Sequence, residues 1–233
     1  MYVERPPRPE LHEHVACVWF ESSEAGRPSR DRVLPDGFVD LVFGRSLWVR
    51  GPDTGRHGVS YPAGSRFVGL RFRPGAAPFV LGVPASELVD ARVFLDELWG
   101  PVAAEIADRM VSAASLGAAA ALLEEELLRR ARATDPAVEA VVRHLRGGGS
   151  SHGLAARIGL SERQLRRRAV AALGYGTKTL DRILRFQRFL ALARSRPPLG
   201  RAQLASIAGY ADQPHLTREC RRLSGDAPAA LVI

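Results

Sequence analysis

The sequence is poor in thiols and almost without lysine. Its two cysteines, Cys17 and Cys220, stand near opposite ends of 233 residues, so no disulfide framework is implied. Without further thiols beside either one, a structural zinc site of the cysteine-rich kind is excluded. No run of 18 apolar residues occurs, which leaves no candidate membrane span. The opening residues, MYVERPPRPELHEH, lack the apolar stretch of a secretory signal, and a cytoplasmic location is the expectation. Lys178 is the only lysine, so arginine carries the positive charge. Its planar fork suits phosphates and guanine edges, because it can donate two parallel hydrogen bonds.

That charge is unevenly spread. Residues 1–134 hold 16 basic and 18 acidic side chains, whereas residues 135–233 hold 17 and 7. The net charge of +8 therefore belongs to the C-terminal part. A basic module beside a nearly neutral one points to a polyanionic partner for one half alone. An apolar content of 46% is enough for a real core, and the length favours two domains.

An α+β fold is predicted, with the strands first. HVACVWFE (14–21), GFVDLVF (37–43), LWVRG (47–51) and RFVGLRFRPG (66–75) are short apolar or alternating runs. Turn sequences such as LPDG, RGPDTG and YPAG separate them. Residues 84–100 suggest a short helical segment and a loop. Residues 1–100 thus form a β-rich domain. Residues 101–134 are Ala/Leu/Glu-rich and predict two helices broken near Ser115–Gly117, serving as a connector or a dimerisation segment. TDP (134–136) starts a new helix and a new domain, with Pro136 in its first turn. RGGGSS (146–151) ends that helix.

Within residues 135–233 a pattern occurs twice. ARIGLSERQLRRRAVAALGYGTKTL (156–180) and SIAGYADQPHLTRECRRLSGDAPAAL (206–231) share their Ala, Gly and Leu offsets. Each copy reads helix, tight turn, helix, over about 150–173 and 201–224. Ser161 caps the second helix of the first copy, with Gln164 completing a capping box. Asp212 caps its counterpart, and Pro214 sits where a missing N–H costs nothing. Leu165, Ala169 and Ala172 point inward in one copy, and Leu216, Cys220 and Leu223 in the other. The opposite faces are polar and arginine-rich. Arg163, Gln164, Arg167, Gln213, Pro214, Thr217 and Arg218 are the candidates for base edges; Arg166, Arg168, Lys178, Arg221 and Arg222 are the candidates for phosphates. An apolar-faced helix over 177–195 joins the copies. At 1.5 Å per residue it spans about 28 Å, close to the ~34 Å between successive major-groove faces of a duplex.

The C-terminal copy resembles the AraC-type transcriptional regulators, whose DNA-binding half is two helix-turn-helix motifs and a linker helix. The matching residues are Gly209, Tyr210, Asp212, His215, Leu216, Arg218 and Cys220, then Gly225 and Pro228. VLPDGFVDLVF (33–43), FVGLRFRPGAAPFVLGVPASEL (67–88) and LDELWG (95–100) resemble the sensor domain of a subgroup of these regulators. The resemblance implies a small cupin-like β-barrel in front of helices, and a double-stranded DNA partner. It leaves a small-molecule effector, a second copy of the chain and RNA polymerase open as further partners. Trp19, Asp40, Trp48 and Phe72 are the candidates for a ligand pocket in the first domain.

Bland alternatives accompany the other polar residues. Asp212 and His215 have no nucleophile beside them, and helix capping accounts for Asp212. His12, His14 and His57 invite a cupin metal site, but no nearby Glu completes a ligand set. Asp36 and Asp40 form a carboxylate pair, although Asp36 in PDG suits a turn. Cys17 on a strand reads as an inert buried thiol. No catalytic residue, metal or cofactor is expected. The rivals are a metal-dependent cupin enzyme with a basic tail, and a non-specific architectural DNA-binding protein.

Overall fold

The computed structural model describes residues 1–23, 29–194 and 200–231. Its strands are β1 (Tyr2–Arg5), β2 (Val15–Ser22), β3 (Ser29–Val33), β4 (Val39–Phe43), β5 (Leu47–Arg50), β6 (His57–Tyr61), β7 (Arg66–Phe72) and β8 (Arg92–Phe94). Six of them form one antiparallel sheet in the order β1-β2-β7-β4-β5-β8, while β3 and β6 pair separately. The predicted runs became β2, β4, β5 and β7. The other four strands were not anticipated. β1, β3 and β8 are only three to five residues long, too short to show an apolar rhythm. β8 lies within the stretch expected to be helical and loop, flanked there by a 3-10 turn at Ala85–Glu87 and by helix α2 (Leu95–Trp99), which follows α1 (Pro78–Leu81).

Side chains alternate across the sheet, as strand geometry requires. Val18, Val39, Leu41, Val49, Leu70 and Phe72 face one way and are buried. Helices α3 (Pro101–Val111) and α4 (Leu116–Arg130) cover that face with Ile106, Met110, Leu123 and Leu127. The helices break where expected, with Ser115 Oγ accepting from Ala118 N at 3.1 Å. The predicted connector is thus packed into the first core.

A closed cupin-like barrel does not form. Edge strands β1 and β8 have no second sheet partner among the described residues, so the sheet stays open. The reason is that α3 and α4 already bury the apolar face that barrel closure would otherwise shield.

The C-terminal half is all-helical: α5 (Pro136–Arg146), α6 (Leu154–Arg157), α7 (Glu162–Leu173), α8 (Thr177–Ala193), α9 (Arg201–Ala208), α10 (Gln213–Ser224) and α11 (Pro228–Leu231). Asp135 Oδ1 accepts from Ala137 N at 2.9 Å and caps α5. Helix α8 replaces the predicted 177–195 linker; residue 195 lies outside the described residues. Its Leu180, Ile183, Phe186, Phe189 and Leu190 form the axis of one core shared by both repeats. No helix among the described residues is long and apolar enough to cross a membrane.

Candidate nucleic-acid interface and polar cavity

Each repeat is a short helix, a left-handed glycine and a capped second helix. Gly159 and Gly209 carry φ of +71° and +90°, a conformation costly for any residue with a Cβ, and so turn the chain sharply. At α7 the capping box closes as expected: Gln164 N donates to Ser161 Oγ at 3.3 Å, and Ser161 N donates to Gln164 Oε1 at 2.9 Å. At α10 His215 N donates to Asp212 Oδ1 at 2.6 Å. Asp212 is therefore occupied as a helix cap. His215 accepts from Ala211 N through Nδ1 at 3.4 Å and sets its ring edge-on to Tyr210.

The inward stripes are buried as predicted, through Leu165, Ala169 and Ala172 on α7 and Leu216, Cys220 and Leu223 on α10. On the opposite faces Arg163, Gln164, Arg166, Arg167, Gln213, Pro214, Arg218, Arg221 and Arg222 are exposed, and so is Lys178 at the start of α8. The six arginines among these have no ion-pair or hydrogen-bond partner among the described residues. Thr217 is half-buried, and its Oγ1 donates to Gln213 O at 2.9 Å.

Arg168 departs from expectation as a phosphate candidate. Its guanidinium turns back to Asp135 at 3.1 Å, because residue 168 lies beside the α5 cap rather than over the outer face. Arg167 lines an open groove toward Phe79, Trp99 and Arg132. Helix α7 packs against the 85–87 turn of the first half, and Glu162, Arg163 and Gln164 in its first turn are exposed.

The polar face of α8, where helical spacing puts Asp181, Arg185 and Arg188, clips the second repeat in place. Arg182 pairs with Glu219 at 2.9 Å, and Arg185 lies over the Tyr210 ring at 5.7 Å while pairing with Asp181. Arg188 donates to Ala208 O and Leu145 O, each at 3.4 Å. These arginines are structural, unlike the six unpaired ones of α7 and α10.

A second site lies on the outer face of the N-terminal sheet. Trp19, Asp40 and Trp48 line a cavity of about 200 Å³ together with Asp36, Phe38, Arg50, Asp53 and Arg71. Phe72 does not join them. It follows Arg71 on β7 and so points to the opposite face, fully buried in the main core. Arg71 binds Asp40 through Nε at 3.0 Å and Nη2 at 3.1 Å. Asp36 makes the predicted turn, accepting from Phe38 N at 2.9 Å. Arg50, Asp53 and Arg71 were not singled out from sequence. The alternation of RFVGLRF places Arg71 opposite the core, and that signal was available.

Burial, then the nearby Asp40 charge, raises the Asp36 carboxyl above its ordinary range. Burial likewise pushes Asp53 up to about 6, against the pull of Arg50 and His57, with Asp36 and Asp90 adding to the rise. Folding therefore favours protonated Asp53, and its contribution to stability declines as pH rises from its unfolded value near 3.8 through about 6. Asp53→Asn is expected to stabilise the chain by about 1 kcal/mol near pH 7 and by nothing near pH 4, after allowance for solvent screening. Urea unfolding of both proteins across that range checks it; an equal gap at both ends would contradict the raised carboxyl.

The three histidines do not converge. His14 Nε2 contacts Arg132 O at 2.8 Å, His12 Nε2 contacts Pro7 O at 3.3 Å, and His57 contacts Asp53 at 3.1 Å and Asp90 at 3.4 Å. Asp53, His57 and Asp90 do place ligand-type atoms within 4.8 Å of one another. Asp90 is already committed, however, to Thr54 N at 2.7 Å and Thr54 Oγ1 at 2.5 Å.

Loop 34–38 joins the cavity to α8. Leu34 packs on the C-terminal core, Pro35 O accepts from Gln187 Nε2 at 2.6 Å, and the guanidinium groups of Arg71 and Arg146 each lie over the Phe38 ring at 5.1 Å. A Cβ on Gly37 would come within 3.2 Å of Leu180, so the loop sits directly on α8. Arg56 and Asp226 add an ion pair between the halves at 3.6 Å.

Comparison with curated proteins returned no match. Two solved structures align over most of the chain. An apo variant of ToxT from Vibrio cholerae strain SCE256 is 11% identical, covering 93% of this chain and 96% of its own, with a TM-score of 0.45. ToxT from Vibrio cholerae O395 is 9% identical, covering 91% and 95%, also at 0.45. Residues 3–94 match the family model of a domain of unknown function, DUF6597. Residues 154–232 match the family model of a helix-turn-helix domain.

Proposed function

We propose that the chain is a sequence-specific DNA-binding transcriptional regulator of the AraC type, responsive to a signal through its N-terminal half. The observation that carries this is the pair of capped helices on one core, α7 and α10, each presenting unpaired arginines on its exposed face. Helices of this kind fit the major groove, where their first turns reach base edges. The helix-turn-helix match over residues 154–232 supports the same reading. Arg163, Gln164, Arg167, Gln213, Pro214, Thr217 and Arg218 then face bases, and Arg166, Lys178, Arg221 and Arg222 face phosphates. The 34–38 loop is the route by which the first half biases the second, through differential stability of two domain arrangements.

Selection of bound sequences from random DNA, followed by footprinting of the winner, tests this directly. A regulator prefers its operator by ~10³-fold or more over random duplex. A protein that only coats DNA shows no such winner. Arg218→Ala is expected to relax preference at one base position, at about 1–3 kcal/mol for a lost bidentate contact. Arg222→Ala should instead weaken operator and random DNA alike. Uniform losses from both variants would refute the assignment.

A further inference from the structure

We infer that the N-terminal cavity binds a small organic amine that also carries a hydrogen-bond acceptor. The inference names the effector class for the sensor role proposed above and rests on that role only for any effect on DNA.

Charge decides the class. Asp36, Asp40 and Asp53 line the cavity with Arg50 and Arg71. Arg71 is taken up by Asp40, which leaves Asp36 3.9 Å from it. Asp53 meets His57 Nε2 at 3.1 Å on its outer side, while Arg50 stands 3.7 Å away, beyond hydrogen-bond reach. Part-exposed Asp36 and buried Asp53 are thus left with guanidinium groups that are committed or beyond hydrogen-bond reach. An ammonium group supplies the missing charge, and an anion would add to the surplus.

The donors decide the second feature. Trp19 is 7% exposed, and its Nε1–H has no hydrogen-bond partner among the described residues; Arg50 Nη2, ion-paired at 3.7 Å with Asp53, likewise makes no hydrogen bond. A buried donor left unpaired is costly, and an acceptor on the guest relieves that cost. Trp19, Trp48 and Phe38 give the cavity aromatic walls, suited to an apolar body and to a cation. Its volume of about 200 Å³ falls below that of drug-sized pockets, so the guest is small. A divalent metal fits less well, because Asp90, the third member of the neighbouring acidic cluster, is held by Thr54.

The test uses the full chain and three molecules of one skeleton: phenylethanolamine, its neutral analogue phenylethanediol, and the anion mandelate, with ethanolamine as a smaller amine. Calorimetry and the fluorescence of the cavity tryptophans read binding. Phenylethanolamine or ethanolamine should bind at millimolar concentration or below, with the diol at least about ten-fold weaker and mandelate silent. Asp53→Asn should remove the preference for amine over diol. Failure of both amines to bind, or a diol or mandelate affinity equal to the amine's, overturns the site and leaves the DNA reading untouched. Amine binding with unchanged affinity for the selected operator supports the site and overturns the sensor role instead.

Discussion

The affinity of the chain for duplex DNA is expected to fall about 10²-fold between roughly 50 and 200 mM salt. Arg166, Lys178, Arg221 and Arg222 are exposed cations assigned to phosphates. Each phosphate neutralised releases condensed counterions and contributes a slope of about −0.9 in log K against log salt, so four give about −3.6. Arg168 is left out because Asp135 already holds it. Arg222→Ala should make the slope shallower by about 0.9. Fluorescence anisotropy with a short labelled duplex across the salt range measures both. A wild-type slope near zero would end the DNA reading, since the exposed arginines would then be a merely solvated face.

Phe186→Ala should have the largest effect on the fold. The Phe186 ring is fully buried on α8, stacked beside Phe189 at 6.4 Å, in the core that both repeats share. Removing it leaves a cavity where neighbours from several helices meet, at a cost of about 3–5 kcal/mol. Both reading helices lose their common support, so footprints of both repeats should vanish together. All three tryptophans, Trp19, Trp48 and Trp99, lie in the first half. In urea, the far-UV helical signal should therefore fall at lower denaturant than the tryptophan signal. A variant that unfolds at the wild-type midpoint, or keeps one footprint intact, would show that the repeats do not depend on one core.

Much of the C-terminal half was legible because its signals are local. A cap, a left-handed glycine and an apolar stripe each act within a few residues, and Ser161, Asp212, Gly159 and Leu216 all do what their neighbours in sequence dictate. The N-terminal half was legible only where strands alternate in the core. Its edge strands, its open sheet and its cavity depend on partners far along the chain.

Arg71 and Phe72 show the difference at one step of a strand. They are adjacent, yet one faces a polar cavity and the other the main core. The sequence by itself determined the two arginine-faced helices, their caps and the uneven charge, because periodicity and capping are short-range. Only the tertiary structure decided that Asp36, Asp53 and Arg50 share a cavity, that Arg168 turns back to Asp135, and that loop 34–38 rests on α8. Apart from the i,i+3 step from Arg50 to Asp53, those pairings reach up to 152 residues along the chain, and chain packing, which no local pattern encodes, sets which side chains meet.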